Sequence, residues 1–285
     1  MDWLDALWLG IIQGLTEYLP VSSSGHLEIF RQILGVELSG ENAIQFDIIL
    51  HAATVCSTLV ILWPLFRKLC VSFFTFKRDA DFYYVCKILL SCVPIAIVGF
   101  FFKETVESFF EGNLKVVGVC LLITAFLLTF AHLSDLRAVR RLQTSPTNGA
   151  DMVPASAGHQ ITWFDAFIIG CAQALAVLPG LSRSGTTIAT GIILGDRRDQ
   201  MAQFSFLMVI IPILGEALLQ VKDIISPDPG VTVESVGAIP MIIGFLAAFL
   251  VGCCACKWMI NLVKKGKLVW FALYCVLAGL LCIFW

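Results

Sequence analysis

Charged side chains are scarce in this chain, and three ionisable side chains lie in apolar surroundings beside groups of hydroxyl residues. Glu17 precedes the loop 20–26 (Pro-Val-Ser-Ser-Ser-Gly-His), which ends on His26, and Arg183 lies in the loop 179–185 (Pro-Gly-Leu-Ser-Arg-Ser-Gly). A guanidinium, several hydroxyls and the start of a helix together form an anion site, and phosphate suits this set of donors. The residue types therefore predict phosphate chemistry, with an acid and a histidine on one loop and an arginine on the other.

The composition indicates an integral membrane protein. The 285 residues are 58% hydrophobic and 14% charged, against about 25% charged in typical soluble domains, and the mean hydropathy is +0.88. The net charge of −2 excludes a nucleic-acid partner held by phosphate neutralisation. Most of the eleven cysteines lie in apolar runs and are expected to pack as small apolar residues. Cys253 and Cys256 have metal-binding spacing, but no second pair completes a site.

Six apolar stretches are long enough to cross a bilayer, which takes about 20 residues in a helix. They are residues 43–66, 85–102, 114–133, 201–219, 236–256 and 268–285. Two further regions are interrupted by the polar loops, and their apolar runs are 6–19 with 27–34 and 166–178 with 187–194. At about 1.5 Å per residue each of these runs is too short to cross alone. We therefore expect two re-entrant helix–loop–helix hairpins, each entering and leaving on one side.

The two interrupted regions are copies of each other, related by a shift of 160 residues. Twelve of the positions between 3 and 35 carry the same residue 160 positions later, without a gap. The chain is thus interpreted as a first repeat (1–134), a linker (135–160) and a second repeat (161–285), each repeat with one hairpin and three spans. Because three crossings is an odd number, the second repeat is inverted. The predicted fold is all-α, with six transmembrane helices and two re-entrant hairpins in an inverted-topology repeat.

Basic residues are concentrated in the connections that this topology places on one side of the membrane. Fourteen of the 19 Lys and Arg residues lie there, whereas the opposite connections hold acidic residues such as Glu104, Glu107 and Glu111. The positive-inside rule makes the basic side cytoplasmic. Both termini are then expected outside, with the first hairpin entering from outside and the second from the cytoplasm.

Each of these side chains also has a simpler interpretation. Glu17 and Arg183 would account for each other's charge in a structural salt bridge, and the serines 22–24 would cap a helix. His26 would be a buried, hydrogen-bonded structural histidine. Two further ionisable residues lie within spans and are expected to pack or to support the site: His51 and Glu216. A functional site is favoured because the simpler interpretations must all hold together in two matched loops.

At these residues the chain resembles a known family, the undecaprenyl-diphosphate phosphatases linked to bacitracin resistance. The first family signature, Glu/Gln-x-x-x-Glu running into Pro-Val-Ser-Ser-x-Gly-His, reads here Gln13-Gly-Leu-Thr-Glu17 and Pro20-Val-Ser-Ser-Ser-Gly-His26. The second signature, Pro-Gly-x-Ser-Arg-Ser-x-x-Thr, reads Pro179-Gly-Leu-Ser-Arg-Ser-Gly-Thr-Thr187. The resemblance extends over essentially the whole chain.

The resemblance implies hydrolysis of undecaprenyl diphosphate, the C55 lipid carrier, to the monophosphate and inorganic phosphate in the bacterial inner membrane. It implies a site open to the outer face, carrier recycling for the cell wall, and bacitracin resistance. Combined with the residues, it predicts that Ser23 attacks the terminal phosphorus and that Arg183 clamps the phosphoryl oxygens. His26 is predicted to carry protons, and Glu17 to orient or deprotonate the attacking group. The predicted substrate-binding residues are Ser22, Ser24, Ser182, Ser184 and Thr187.

The family also implies a divalent cation, Mg²⁺ or Ca²⁺, at Gln13 and Glu17. These residues are four apart and therefore share one helical face. Gln13 is the family's amide variant of its first acid, so the metal role at that position is weaker here. The expected partners are a polyprenyl diphosphate and membrane lipid, without nucleic acid, and a homodimer is left open.

Two other functions share parts of this pattern. Lipid phosphatases of the phosphatidic-acid type also use Ser-Gly-His and Ser-Arg, but they need His and Asp where this chain has Ala189 and Ile193. A lipid-phosphate transporter or flippase would explain an inverted repeat with broken helices. It gives no reason for a serine–histidine pair opposite an arginine. Phosphate release by purified protein and transport in sealed vesicles distinguish the enzyme from the transporter.

Overall fold

The computed structural model describes residues 1–36, 41–102, 114–143, 158–225 and 236–285, and these residues form twelve α-helices and no β-strand. The helices are α1 (Trp3–Thr16), α2 (Ser23–Leu34), α3 (Glu41–Ile61), α4 (Trp63–Phe74), α5 (Ala80–Phe101), α6 (Leu114–Gln143), α7 (Trp163–Leu175), α8 (Arg183–Leu194), α9 (Arg198–Met208), α10 (Ile210–Ile225), α11 (Ala238–Lys264) and α12 (Val269–Phe284). The all-α prediction is confirmed for these residues. Residues 144–157 of the predicted linker lie outside them, as do Glu104, Glu107 and Glu111.

The two predicted hairpins, α1–α2 and α7–α8, have the same local construction. Asp2 caps α1 and Thr162 caps α7, and in each helix an aspartate three residues later, Asp5 or Asp165, bonds back to the cap residue. This reciprocal capping satisfies free N–H groups of the first helical turn. The second arms also match, since α2 and α8 each follow a capping serine and end on a glycine with positive φ.

Several helices have the length and composition of membrane spans. Among the described residues, three single helices qualify by length and composition: Ala80–Phe101, Leu114–Arg140 and Ala238–Lys264. A fourth candidate is the bent pair α3 and α4. The hairpin arms are 14, 12, 13 and 12 residues long, which is shorter than the roughly 20 residues of a span. The chain is therefore suited to a membrane, with arms too short to cross it alone.

Two of the expected spans are interrupted in the structure. The stretch 43–66 is broken at Leu62, where α4 turns away from α3 by 85°. Pro64 explains the break, because proline lacks an N–H and its ring excludes the carbonyl of the residue four positions earlier. The stretch 201–219 is broken at Val209, between α9 and α10, and Pro212 has the same effect there. The structure thus divides each of these two expected spans into two helices.

The first arm of each hairpin packs closely on a long helix from the other half of the chain. α1 packs along α11, where a Cβ on Gly10 would lie 2.5 Å from the carbonyl oxygen of Gly244. α7 packs along α5, where a Cβ on Gly170 would lie 2.4 Å from the carbonyl oxygen of Ser91. Small residues allow helix backbones to approach this closely. Since Gly170 lies 160 residues after Gly10, the two contacts are equivalent.

The two polar loops lie against each other. A Cβ added to Gly25 would lie 3.2 Å from Cα of Gly180, and a Cβ added to Gly185 would lie 3.0 Å from Cβ of Pro20. These contacts are reciprocal, because Gly180 and Gly185 follow Pro20 and Gly25 by 160 residues. The fold therefore brings the two predicted loops to one place.

Candidate active site

Glu17, immediately after α1, gathers polar side chains of the first loop. Its Oε2 accepts a hydrogen bond from Nε2 of Gln13 at 2.9 Å, as their spacing of one helical turn predicts. The same oxygen accepts a hydrogen bond from Oγ of Ser23 at 2.7 Å. The side chain of Glu17 is 8% exposed, and Gln13 is fully buried. A hydroxyl that donates to an adjacent base is the arrangement of an activated nucleophile.

The position of Ser23 depends on the backbone of Ser22. Ser22 is the N-cap of α2 and has a φ of 70°, in the left-handed region that residues other than glycine seldom adopt. Its Oγ accepts from the N–H of Gly25 at 3.3 Å and lies 3.4 Å from Oγ of Ser24. Strained backbone of this kind is concentrated at functional sites. Here it makes Ser23 the first residue of α2, within reach of Glu17.

His26 is buried, and its ring nitrogens have partners other than Ser23 and Glu17. Nδ1 lies 2.8 Å from the carbonyl oxygen of Ser22, and Nε2 lies 2.6 Å from the hydroxyl of Tyr274. Since a carbonyl can only accept, Nδ1 carries a proton, and in the neutral ring Nε2 then accepts from the tyrosine. The two rings stack with their centroids 5.6 Å apart. The sequence contained no signal for Tyr274, which lies 248 residues away in the last apolar stretch.

His51 of α3 is a second ionisable neighbour of Glu17. Its Nε2 lies 3.7 Å from Oε2 of Glu17, and its Nδ1 lies 2.8 Å from the carbonyl oxygen of Asp47. Asp47 in turn forms an ion pair with Arg31 of α2. The position of His51 beside the Glu17 carboxylate fits the supporting role expected for it. The side chain of Glu216, expected in a similar role, lies outside the described part of the chain.

The second polar loop is held in place by hydrogen bonds of Ser182 and Ser184. Ser182 caps α8 by accepting from the N–H of Gly185 at 3.0 Å, and its own N–H donates to Oγ1 of Thr124 at 3.1 Å. Oγ of Ser184 donates to the carbonyl oxygen of Leu19 at 3.2 Å, across the contact between the two loops. These bonds hold the first turn of α8, which begins at Arg183.

Glu17 and Arg183 line one pocket. The positive charge of Arg183 acts on the Glu17 carboxylate across it. Two of the predicted substrate-binding residues line the same cavity, Ser184 and Thr187. Oγ1 of Thr187 donates to the carbonyl oxygen of Arg183 at 2.8 Å and lies 2.6 Å from the hydroxyl of Ser205. The structure thus brings the acid of one loop and the arginine of the other together, while their catalytic roles stay predictions.

The predicted cation ligands suit a hard divalent cation. Oε1 of Gln13 is buried and has no hydrogen-bond partner among the described residues, because the amide bonds to Glu17 through Nε2. Mg²⁺ and Ca²⁺ take oxygen ligands, and Mg²⁺ is often held by one or two carboxylates together with substrate phosphates. An amide oxygen next to a carboxylate therefore fits such a cation, and its binding stays a prediction.

The chain is similar to known bacterial proteins over nearly its whole length. The undecaprenyl-diphosphatase of Bacteroides thetaiotaomicron is 51% identical over 280 residues, which are 98% of this chain and 97% of the relative. That of Parabacteroides distasonis is 51% identical over 283 residues (99% and 98%), and that of Oceanobacillus iheyensis is 35% identical over 280 residues (96% and 93%). The family model described as Bacitracin resistance protein BacA matches residues 6–281. The chain belongs to this family of bacitracin resistance proteins.

Proposed function

We propose that this protein hydrolyses undecaprenyl diphosphate to undecaprenyl phosphate and inorganic phosphate. Membership of the BacA family and the relatives named undecaprenyl-diphosphatase support this function. The reaction returns the lipid carrier to cell-wall synthesis and confers resistance to bacitracin. The observation that carries the proposal is the hydrogen bond from Ser23 to Glu17, beside the cavity that Glu17 shares with Arg183.

Ser23 is the nucleophile in this mechanism. Its Oγ attacks the terminal phosphorus while its proton passes to Oε2 of Glu17, 2.7 Å away. The bond from that phosphorus to the bridging oxygen breaks, undecaprenyl phosphate leaves with the proton, and a phosphoserine remains. Water then attacks the phosphoserine and gives a proton to Glu17. That proton returns to Oγ of Ser23 as inorganic phosphate leaves, which restores the enzyme.

Arg183 stabilises the phosphoryl group during both transfers. Its planar guanidinium offers paired N–H donors that match two phosphoryl oxygens, and it stays charged at every relevant pH. Arg183 also begins α8, whose N-terminal N–H groups favour an anion. The hydroxyl residues proposed to bind the substrate lie in the two polar loops and the first turns of the helices that follow them: Ser22, Ser24, Ser182, Ser184 and Thr187. Donors fixed before the reaction stabilise the transition state without the cost of reorganisation.

Glu17 carries the protons of both transfers in this scheme, and His26 is proposed to carry protons between the site and solvent. Ser23 already donates to Glu17, whereas the ring of His26 is held by Ser22 and Tyr274. An exchange between His26 and Ser23 requires the ring to leave Tyr274.

A divalent cation, Mg²⁺ or Ca²⁺, is proposed at Gln13 and Glu17. When bound, it would neutralise charge on the diphosphate and polarise a phosphoryl oxygen. The buried, unpartnered Oε1 of Gln13 supports this assignment.

The proposed architecture has six transmembrane segments and two re-entrant hairpins, in inverted repeats (1–134 and 161–285) joined by the linker 135–160. The equivalent contacts of Gly10 and Gly170 support it, as does the pairing of α6 with α12. A Cβ on Gly118 would lie 2.7 Å from the carbonyl oxygen of Gly279, and a Cβ on Gly279 would lie 2.8 Å from that of Gly118. Such mutual contact between equivalent elements is typical of a two-fold axis.

The proposed location is the bacterial inner membrane, with both termini outside and the cavity open to the outer face. The distribution of the 19 basic residues supports this orientation. The proposed partners are the lipid diphosphate and the surrounding membrane lipid.

Release of inorganic phosphate from undecaprenyl diphosphate by detergent-purified protein tests the function. Wild type is expected to turn over, and Ser23→Ala is expected to lose about 1,000-fold or more in kcat, as catalytic nucleophiles do. Ser134→Ala, a serine substitution in α6 away from the cavity, serves as the matched control. Rapid quenching should trap a phosphoserine in wild type and none in Ser23→Ala. Lipid transport into sealed vesicles without phosphate release would support a flippase and overturn the proposal.

A further inference from the structure

Three ionisable side chains meet at the base of the second hairpin, outside the cavity described above. His159 precedes α7, Asp165 lies in the first turn of α7, and Asp196 follows α8. One imidazole nitrogen and two carboxylate oxygens from these residues all lie within 4.8 Å of one another. Nδ1 of His159 is 3.3 Å from Oδ1 of Asp196 and 3.7 Å from Oδ2 of Asp165. The cluster therefore joins both ends of the hairpin to the end of the linker.

Asp196 is buried without the hydrogen bonds that a carboxylate needs. Its side chain is 0% exposed, and neither carboxylate oxygen has a hydrogen-bond partner among the described residues. A buried carboxylate is unfavourable unless hydrogen bonds or a positive charge compensate it. Both oxygens of Asp196 are therefore available as ligands.

The first hairpin has the equivalent region without the cluster, which allows the two to be compared. Asp5 is the equivalent of Asp165, and each aspartate makes the same capping-box hydrogen bond at the start of its helix. The equivalent of Asp196 is Val36. Capping thus explains the carboxylate of Asp165 and leaves that of Asp196 unexplained. The second hairpin therefore has a buried carboxylate, that of Asp196, which the first hairpin lacks and which faces the carboxylate of Asp165.

The backbone holds the cluster in place. The N–H of His159 donates to the carbonyl oxygen of Gly195 at 3.0 Å, and the N–H of Arg197 donates to the carbonyl oxygen of His159 at 3.0 Å. Oδ2 of Asp165 is fixed by the N–H of Thr162 at 2.8 Å. The side chain of His159 is 51% exposed, so an ion can enter from solvent. The backbone around the cluster is thus fixed, and the cluster is accessible from solvent on one side.

We propose that His159, Asp165 and Asp196 bind a divalent transition-metal cation of the Zn²⁺ class. An imidazole nitrogen with two carboxylate oxygens is a donor set that Zn²⁺ accepts, and water takes the fourth position. Ligands of tetrahedral zinc, at bonds of 2.0–2.2 Å, lie about 3.3–3.6 Å from each other. The His159 nitrogen lies 3.3 Å from the Asp196 carboxylate, within this range, and 3.7 Å from the Asp165 carboxylate, slightly beyond it.

Binding exchanges a proton for the metal at the imidazole. Nδ1 of His159 lies 3.1 Å from the carbonyl oxygen of Gln160, to which it donates while protonated. A ligating Nδ1 must be unprotonated, so the cation replaces that proton and that hydrogen bond. The bound cation would clamp the linker end and both ends of the hairpin that carries Arg183. Its nitrogen ligand distinguishes this site from the all-oxygen site proposed at Gln13 and Glu17.

The test uses the full-length protein, purified in detergent and stripped of metal with a chelator. Zn²⁺ binding is measured by titration calorimetry and by the shift of the unfolding temperature, with Mg²⁺ in excess to occupy oxygen-only sites. Wild type is expected to bind one Zn²⁺ per chain at this cluster and to unfold at a higher temperature. Asp196→Asn and His159→Ala are expected to weaken this binding by about 100-fold or more, since loss of even an outer-shell partner costs 10–100-fold.

Two matched variants separate ligation from other effects. Asp5→Asn and Asp165→Asn both remove a capping-box carboxylate, but only Asp165→Asn should abolish the Zn²⁺-dependent shift. Glu17→Gln should keep it, because Glu17 belongs to the other site. Absence of Zn²⁺ binding by wild type overturns the proposal. So does binding that persists at full strength in both Asp196→Asn and His159→Ala, which would place the ion on other groups, such as the free cysteines.

Discussion

Oγ of Ser23 donates a hydrogen bond of 2.7 Å to Oε2 of Glu17, and this bond spans the polar loop between α1 and α2. The two residues are six apart, so neither lies on a helical face with the other. The left-handed backbone of Ser22 brings them together. A strained backbone that places a hydroxyl on a buried carboxylate is understandable if the hydroxyl reacts.

Glu17→Gln should reduce kcat for phosphate release by about 10²- to 10⁴-fold, because an amide cannot accept the proton of Ser23 in the reaction. The amide oxygen can still accept a hydrogen bond, so the fold and the thermal unfolding temperature should change little. Glu28→Gln in α2, where the carboxylate bonds to Gln32 at the surface, is the control for the same chemical change. Full activity of Glu17→Gln would remove Glu17 from the proton transfer.

Tyr274→Phe should weaken kcat by less than about 10-fold, since the first proton transfer is assigned to Glu17 and not to His26. The variant leaves Nε2 of His26 without its hydroxyl partner, which should lower the free energy of unfolding by about 1 kcal/mol. Activity is followed by phosphate release, and stability by thermal unfolding of the same preparation. A loss of kcat as large as that of Glu17→Gln would instead assign the first proton transfer to His26.

Arg183→Lys should reduce kcat/KM by about 100-fold or more, because a lysine keeps the charge and loses the paired donors. Phosphate release at several substrate concentrations separates the effect on kcat from that on KM. Arg197→Lys is the matched control, since Arg197 pairs with Asp199 outside the cavity. Equal losses in both lysine variants would contradict a role for Arg183 in the reaction.

The two loops were predictable from sequence because their signals are local. Polar residues inside apolar runs, repeated at a shift of 160, identify the hairpins, and the fold places the loops together. The breaks at Leu62 and Val209 were not predicted, because apolar content alone does not show where a helix is interrupted, although the sequence contains Pro64 and Pro212. Hydropathy reports the free energy of transfer into lipid, whereas the break in the helix depends on the missing N–H of proline and on the steric clash of its ring.

The partners of His26 and Asp196 were not predictable for a different reason. Tyr274 contacts His26 across 248 residues, and no local pattern specifies which aromatic residue of the last helix meets the first hairpin. The approach of Asp196 to His159 likewise depends on how the hairpin ends pair with the linker. Such contacts follow from tertiary packing and not from periodicity.

Gly170→Ala should lower the free energy of unfolding by about 1–3 kcal/mol, the usual cost of overpacking. A Cβ at this position would lie 2.4 Å from the carbonyl oxygen of Ser91, and backbone atoms cannot move aside without separating α7 from α5. Gly99→Ala in α5 is the matched control, because its Cβ would have no heavy atom within 4 Å. In the same detergent, the unfolding temperature of Gly170→Ala should therefore be clearly lower than that of Gly99→Ala.

Gln13→Glu should strengthen binding of the active-site cation, because a second carboxylate raises the negative charge that tunes affinity for Mg²⁺ and Ca²⁺. The cation concentration for half-maximal phosphate release should fall by about 10-fold, and a chelator should stop release by both proteins. Without the cation, the introduced carboxylate would repel that of Glu17 one helical turn away. Added cation should therefore raise the unfolding temperature of Gln13→Glu by more than that of wild type. Phosphate release that continues unchanged in excess chelator would remove the cation from the mechanism, because the substrate diphosphate would then be handled by Arg183 and the hydroxyls alone.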